Sequence, residues 1–407
     1  MAHAFEGLRI LDFSQVLAGP AATHFFAMLG ADVIKVENPA SGDQFRNLMT
    51  TEALADYGMS PGFMTLNTGK RSVAIDLKHP DARDVVLRIA RTADVVVENF
   101  RAGVIVDLGF GYEAIAKVRP DIVYCSISGY GQSGPMRGAA AYDGAIQAAS
   151  GMMSVNGHPE TGPTRTSYTV VDMSTALTAA FAISSALYRR RETGEGQRLD
   201  VAMYDTALWM MAPLMASHLV GREEFGLMGN NSPAMTPTAN VFQTADGHIQ
   251  ITALTDGQGA ALVALLGLDP HADPRLQTIK TMSAHHDAVR QIFADRLAQE
   301  TTGTWAARLR EGKVPHAPVR DFEAAVTDPQ LAHRGILQDV PAPKGSTHEA
   351  PDPLRLIAAA FTANADGPAI FRAPPALGQH NKDVLMACGY SVAEVAALRE
   401  AGVFGAA

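Results

Sequence analysis

Between residues 8 and 37 the chain reads "LRILDF", then "PAATHFFAMLGA", then "DVIKVE": an apolar strand-like run, a helical run and a second β-branched run. This β-α-β order constrains the fold more than any other feature. Two strands joined by a crossover helix pair in parallel, and a parallel sheet must be covered on both faces. Similar runs follow at "SVAIDL", "ADVVVENF" and "DIVYCSIS", with helical spacing between them at 81–92 and 112–118. The class is therefore α/β with a mostly parallel sheet.

Further along, "YTVV" (168–171) reads as a short strand, and from Met173 the apolar positions keep helical spacing as far as a basic turn, Arg189, Arg190 and Arg191. That spacing predicts a helix of about 17–20 residues starting directly after Asp172 and ending before Gly194. The basic triplet suits the negative end of a helix dipole. "QRLDVAM" reads as another strand, and "YDTALWMMAPLMASHLVG" as a helix broken near Pro213. The turn-rich stretch 222–240, "REEFGLMGNNSPAMTPTAN", marks a boundary. Beyond it, "VFQTADGHIQITAL" predicts a hairpin turning at Asp246-Gly247, followed by helices around 257–266, 283–299 and 304–312. The tail from 326 to 380 is proline-rich and irregular, and a last helix is expected near 392–401.

At 47% hydrophobic and 18% charged, with two cysteines, Cys125 and Cys388, the composition is that of a cytoplasmic globular protein rather than a disulfide-stapled secreted one. A net charge of -9 argues against a nucleic-acid partner. The most apolar windows, 176–188 and 206–220, fall short of a spanning helix, so no membrane partner is expected.

"GFGYEA" (109–114), preceded by a strand-like "VIVDL" (104–108), has the G-x-G-x-x-A form of a dinucleotide loop, but no acid follows at the end of the next strand, and a plain turn is the better reading. In the first β-α-β unit Glu37 stands where ribose-binding acids sit, yet "SQVLAGPAA" has one glycine where three would be needed. His285, His286 and Asp287 face apart on a helix start, so no metal site is read.

Asp172 has two compatible readings. An aspartate just before a helix accepts hydrogen bonds from the first-turn N–H groups, for about 1 kcal/mol, and local sequence favours that. A carboxylate at the carboxyl end of a parallel strand also lies where open α/β sheets take their ligands.

Several segments in order resemble the family III CoA-transferases, a group that includes formyl-CoA:oxalate and carnitine CoA-transferases and, on the same fold, α-methylacyl-CoA racemases. They are "LDFSQVLAGPAATHFFAMLGADVIKVENPASGD" (12–43), "LNTGKRSVAIDLKHP" (66–80), "ADVVVENFRAGV" (93–104) and "SISGYGQSGP" (126–135). The series continues with Asp172, "LYRRRETGEGQRLDVAMYD" (187–205), "GNNSP" (229–233), "FQTADGHI" (242–249) and "ALGQHNKDVLMACGYSVAEVAALREAGV" (376–403).

The resemblance implies a large Rossmann-like CoA-binding domain over 1–200, a linker helix and loop over 201–240 and a smaller α+β domain over 241–325. A C-terminal return, 326–407, would complete the large domain, and two chains would form an interlocked homodimer. It implies that Asp172 is the nucleophile, forming an aspartyl mixed anhydride and then a thioester as CoA passes from an acyl-CoA donor to a carboxylic acid acceptor. CoA, a substrate rather than a resident cofactor, would be held by Val16, Leu17 and Ala18, by Ile75, Asp76, Leu77 and Lys78, by Asn99, Phe100 and Arg101, and by Ser128, Gly129 and Tyr130. Lys78 and Arg101 are the candidate phosphate partners. Gly229 and Asn230 match a glycine-containing loop over the active site.

The chain departs from the formyl-CoA transferases at Leu17, Asn38 and Asp107, where they carry glutamine, arginine and arginine. An apolar Leu17 points to an acid larger than oxalate, such as a C4–C5 dicarboxylate. Racemases of the group place a histidine where this chain has Tyr142, and a phenol is a poor base for an α-proton at neutral pH. Transfer is therefore expected over racemisation, with a CoA-binding protein without turnover as the third alternative.

Overall fold

In a computed structural model, residues 3–50, 58–342 and 353–405 of the chain are described. Six strands form one sheet: β1 (Arg9–Asp12), β2 (Asp32–Glu37), β3 (Arg71–Ala74), β4 (Val95–Glu98), β5 (Val123–Ser128) and β6 (Gln197–Ala202). Their order is β3-β2-β1-β4-β5-β6, and every neighbouring pair is parallel. The order reverses between β1 and β4. Loops leaving the carboxyl ends of these two strands diverge there, and such switch points open the crevice in which doubly wound sheets take ligands.

Five helices matter to the site: α1 (Ala18–Ala27), α2 (Ala82–Ala90), α3 (Asp143–Ala149), α4 (Val170–Thr193) and α5 (Met203–Met210). Alternate strand residues face opposite ways, and both faces are buried. Ile10, Val33, Val95, Val97 and Cys125 pack beneath α1 and α4 through Ala22, Phe26, Ala176, Ala179 and Ile183. Leu11, Ile34, Val96 and Tyr124 pack with Val85 and Ile89 of α2 and with Val384, Leu385, Val395 and Val403 near the C-terminus. Each such aliphatic side chain contributes about 1.5–3 kcal/mol by leaving water.

The chain divides into two compact units, one of residues 1–150, 166–211 and 330–407, the other of 151–165 and 212–329. The segment 151–165 thus leaves the expected first domain, and the chain passes to the second unit after 211 rather than across a 201–240 linker. The second unit holds an antiparallel sheet of Ala239–Gln243, His248–Thr252 and His316–Pro318. Four helices, Asp256–Leu265, Ile279–Ala284, His286–Leu297 and Thr302–Glu311, accompany it. Within the stretch expected to be irregular, Leu337–Val340 and Leu354–Ile357 pair as antiparallel strands in the first unit.

Two local expectations are corrected. "VIVDL" is not strand-like but forms a helical turn, Val104–Asp107, because a parallel strand cannot follow β4 without a crossover of a dozen or more residues. No strand precedes Asp172 either: α4 begins at Val170, which makes Asp172 its third residue rather than its cap. The helix starts early because a carboxylate from α3 receives its first-turn N–H groups, described below. At 24 residues α4 is also longer than the windows read from sequence, enough by length and composition to cross a membrane. Its Ala176, Ala179, Ile183 and Ala186 stripe is instead buried in the core.

Candidate active site

The loop after β1 carries the first wall of the site. Asn99, beyond β4, ties it across the switch point: its Oδ1 accepts from Gln15 N at 2.8 Å and its Nδ2 donates to Gln15 O at 2.7 Å. The next residue, Val16, has φ 69°. A β-branched residue in that region stores about 1–3 kcal/mol, so the surroundings must impose it. They do so through Asp43, whose Oδ1 accepts from Val16 N at 2.9 Å. Three residues on, Gly19 has no room for a Cβ, which would sit 2.2 Å from Ser14 Cβ.

Under this loop lies a fully buried charge network. Lys35 reaches Asp43 at 2.8 Å and donates to Ser14 O at 2.7 Å; Lys70 reaches Asp12 at 3.1 Å and donates to Pro20 O at 2.9 Å. Thr23 and Ser14 hydroxyls also donate to Asp12. Burial would raise the Asp12 carboxyl, but Lys70 and Lys35 hold it below the usual range. Burial pushes the Lys70 ammonium down to about 8 against the pull of Asp12. Glu37 belongs to the same network and is not free for a ribose. Its Oε2 accepts from Arg46 Nε at 2.7 Å and its Oε1 from Arg46 Nη2 at 2.8 Å, while Ser72 Oγ donates to Oε1 at 2.6 Å.

The opposite wall comes from the loops after β4 and β5. Phe100 N donates to Glu98 Oε2 at 2.9 Å, and Gly131 N donates to Ser128 Oγ at 3.1 Å. Gly129 is crowded: a Cβ there would lie 2.3 Å from Ala141 Cβ, so the 138–142 segment rests directly on it. Tyr204 N at the start of α5 donates to Gly129 O at 2.9 Å, and the Tyr130 and Tyr204 rings lie 5.7 Å apart.

These walls enclose a cleft of about 350 Å³. Val16, Leu17, Ala18, Asn99, Phe100, Arg101, Ser128, Gly129, Tyr130, Tyr142 and Asp172 all line it. The remaining predicted group, Ile75, Asp76, Leu77 and Lys78, lines a second cavity of about 240 Å³ with Asn38. Gln15 and Phe100 line both spaces, so the two adjoin. Leu17 precedes α1 without capping it by its side chain, which leaves N–H groups of the first turn available to an anion. Gly229 and Asn230 lie in the second unit, where Gly229 N donates to Gly157 O at 2.7 Å.

Among the described residues, Asp172 is the sole acidic one and Arg101 the sole basic one on the lining of the larger cleft. The cap of α4 is supplied by Asp143, whose Oδ2 accepts from Val171 N at 2.8 Å and from Asp172 N at 3.0 Å. Among the described residues no group donates to the Asp172 carboxylate. Burial, together with the charge of Asp143, raises its pKa to about 7. A half-buried carboxylate with both oxygens unengaged is not acting as a structural cap and has its lone pairs open to a ligand.

Asp143, Gln15, Gln44 and Met203 were missed from sequence. "AYDG" was read only for Tyr142, although an acid at the start of a short helix was itself a signal. Tyr142 is 69% exposed and lines the cleft with the backbone that precedes α3.

Residues 5–381 match the family described as CoA-transferase family III. The chain is 35% identical to succinate–glutarate CoA-transferase of Agrobacterium fabrum over 84% of its length and 86% of that protein. It is 32% identical to succinyl-CoA:glutarate CoA-transferase of Mus musculus over 93% and 85%. Among solved structures, a CAIB/BAIF family protein from Brucella suis superposes with a TM-score of 0.83 at 29% identity, covering 95% of this chain and all of that one. A doubly wound sheet with a lone, unengaged aspartate in its switch-point cleft thus coincides with sequence likeness along nearly the whole chain, and the protein belongs to CoA-transferase family III, as a CoA-transferase acting on CoA thioesters.

Proposed function

We propose that the enzyme moves CoA between carboxylic acids through covalent intermediates on Asp172. The unengaged carboxylate in the larger cleft, pushed up to about 7, is the observation that carries this reading. Asp172 attacks the donor thioester carbonyl, the C–S bond breaks, and a mixed anhydride forms with release of CoA thiolate. The thiolate attacks the aspartyl carbonyl and expels the donor acid, leaving an aspartyl-CoA thioester. The acceptor carboxylate attacks that thioester, giving a second anhydride and thiolate again. Attack of thiolate on the acceptor acyl carbon yields the new acyl-CoA and restores Asp172. No net charge or proton is gained or lost.

Backbone N–H groups of the glycine-containing 128–131 turn and the uncapped start of α1 are suited to the oxyanions of these steps. CoA lies along the two adjoining cavities, with Arg101 in one and Lys78 in the other meeting its phosphates. Leu17 supplies an apolar contact where a polar one would suit oxalate, so the acids exchanged are C4–C5 dicarboxylates; the two relatives above are named for succinate and glutarate.

The working form is an interlocked homodimer in the cytoplasm. Leu177 and Phe181 of α4, 57% and 76% exposed, offer apolar surface for a second copy, and both cysteines are free thiols. Incubation with succinyl-CoA and hydroxylamine, followed by peptide mass spectrometry, tests the mechanism. A hydroxamate on Asp172 is expected. An unmodified Asp172 peptide together with an active Asp172→Ala enzyme would overturn it.

A further inference from the structure

On the other face of the sheet from α4, a separate cleft of about 220 Å³ opens over β5 and β6. Register places Tyr124 beside Arg198 and Ser126 beside Asp200. Tyr124, Ser126 and Arg198 form one wall, and the 105–117 segment, including the glycine turn of "GFGYEA", forms the other. The glycines are packing devices: a Cβ on Gly111 would lie 2.7 Å from Val106 Cγ2. They do not make a nucleotide loop, since the helix that follows, Tyr112–Ala116, is a single short turn.

The cleft is rich in unused donors. Arg83, Lys117 and Arg198 line it, and none has a carboxylate at ion-pair distance among the described residues. Among the described residues Glu113 is the only acid on the lining. In a chain of net charge -9, three cations outside any ion pair gather round one small cavity, with Glu98 and Asp200 beside Arg198 as nearby counter-charges. Gln132 adds a side-chain amide nitrogen that is enclosed and has no partner, a vacancy for an acceptor. Ile105, Val106 and Tyr112 supply apolar surface beside these donors.

We propose that this cleft is a second ligand site, which binds a small organic anion, one carboxylate or phosphate group on a short apolar body, and communicates with the CoA cleft through Ser126, Glu98 and Phe100. The connection is short. Ser126 lines the anion cleft and pairs in register with Glu98 of β4, whose buried carboxyl accepts through Oε2 from Phe100 N at 2.9 Å. Phe100 lines both cavities on the CoA side. Tyr124, Cys125, Arg198 and Asp200 are the titratable groups around Glu98. Burial raises Glu98 to about 7, and Arg198 opposes that rise. An anion on Arg198 cancels the opposition, favours the protonated acid and weakens its hold on Phe100 N–H. The site itself stands on its own donors; the communication rests on the CoA reading of Phe100.

Calorimetric titration of the full chain, saturated with CoA, against inorganic phosphate and n-butylphosphonate tests the site. Saturable binding is expected, tighter for the phosphonate, and about tenfold weaker in Arg198→Gln and in Lys117→Gln, since each variant removes a charged donor to the anion. Binding should be unchanged in Asp172→Ala, which separates this site from the proposed chemistry. The phosphonate should also raise the KM for acyl-CoA severalfold, and Glu98→Gln should remove that effect while keeping the binding. No saturable binding, displacement by CoA, or parental affinity in both cation variants overturns the site; an unchanged KM overturns the link.

Discussion

Asp143 caps the helix that bears Asp172. Its Oδ2 takes the N–H groups of Val171 and Asp172 at 2.8 and 3.0 Å, and so leaves the Asp172 carboxylate unengaged. The same charge sits close enough to raise the proton affinity of Asp172. One residue therefore sets both the position and the basicity of the other.

Replacing Asp143 by asparagine separates those two effects. Asparagine still offers an oxygen to the helix N–H groups but brings no charge, so the Asp172 pKa should fall from about 7. In the proposed mechanism the rate requires ionised Asp172. The acid limb of kcat/KM should therefore move to lower pH in Asp143→Asn, while stability drops by about 1 kcal/mol through the weakened cap. A pH–rate profile with an unmoved limb would show that Asp172 does not govern it.

Asp172 also leaves a mark on stability. Its folded pKa of about 7 lies above the ordinary 3.8, so between those values the native state keeps a proton that the unfolded chain has lost. Stability contributed by this group is complete below pH about 4 and declines as pH rises to about 7. In Asp172→Asn that decline is absent. The melting temperature of the variant relative to the parent should rise across the window, while turnover falls by a factor on the order of 10³ or more. Parallel melting curves at pH 4.5 and 7.5 would contradict the assignment.

How much of this was legible in the sequence depends on the range of each signal. The β-branched runs announced five of the six strands up to β5 and "QRLDVAM" the sixth, because burial on both faces demands such runs. "VIVDL" and "YTVV" carried the same local signal and formed no strand. What decided them was distance along the chain from β4 in one case and a carboxylate from α3 in the other, neither of which periodicity records. Asp12 and Lys35 were visible as charges inside apolar segments, and a charge buried there must have a partner. Which partner each would find was a question of topology. The proposed site residues owed their selection to resemblance, and strand ends alone would have offered many more.

Gly129 tests the close approach of the 138–142 segment. Adding a Cβ 2.3 Å from that of Ala141 forces the segment away from the β5 loop, since both partners are held by backbone. Overpacking of this kind costs about 1–3 kcal/mol. Gly129→Ala should fold with a lowered melting temperature and lose tenfold or more in kcat/KM, roughly the effect of a displacement of about 1 Å near reacting groups. Wild-type kinetics in this variant would remove the segment from the active site.

Asp12 and Lys70 test the buried network beneath the Val16 turn. Both side chains are inaccessible to solvent and lie 3.1 Å apart, so removing one strands the charge of the other. Asp12→Asn should destabilise the protein by about 3–5 kcal/mol in urea titration. The double variant Asp12→Asn, Lys70→Met no longer buries that unpaired ammonium and should recover most of the loss, a non-additivity of at least about 1 kcal/mol. Additive effects would mean that the two groups act separately. Because Ser14 and Thr23 also hydrogen-bond Asp12, the recovered double variant should still show a raised KM for acyl-CoA, reporting the turn rather than the global fold.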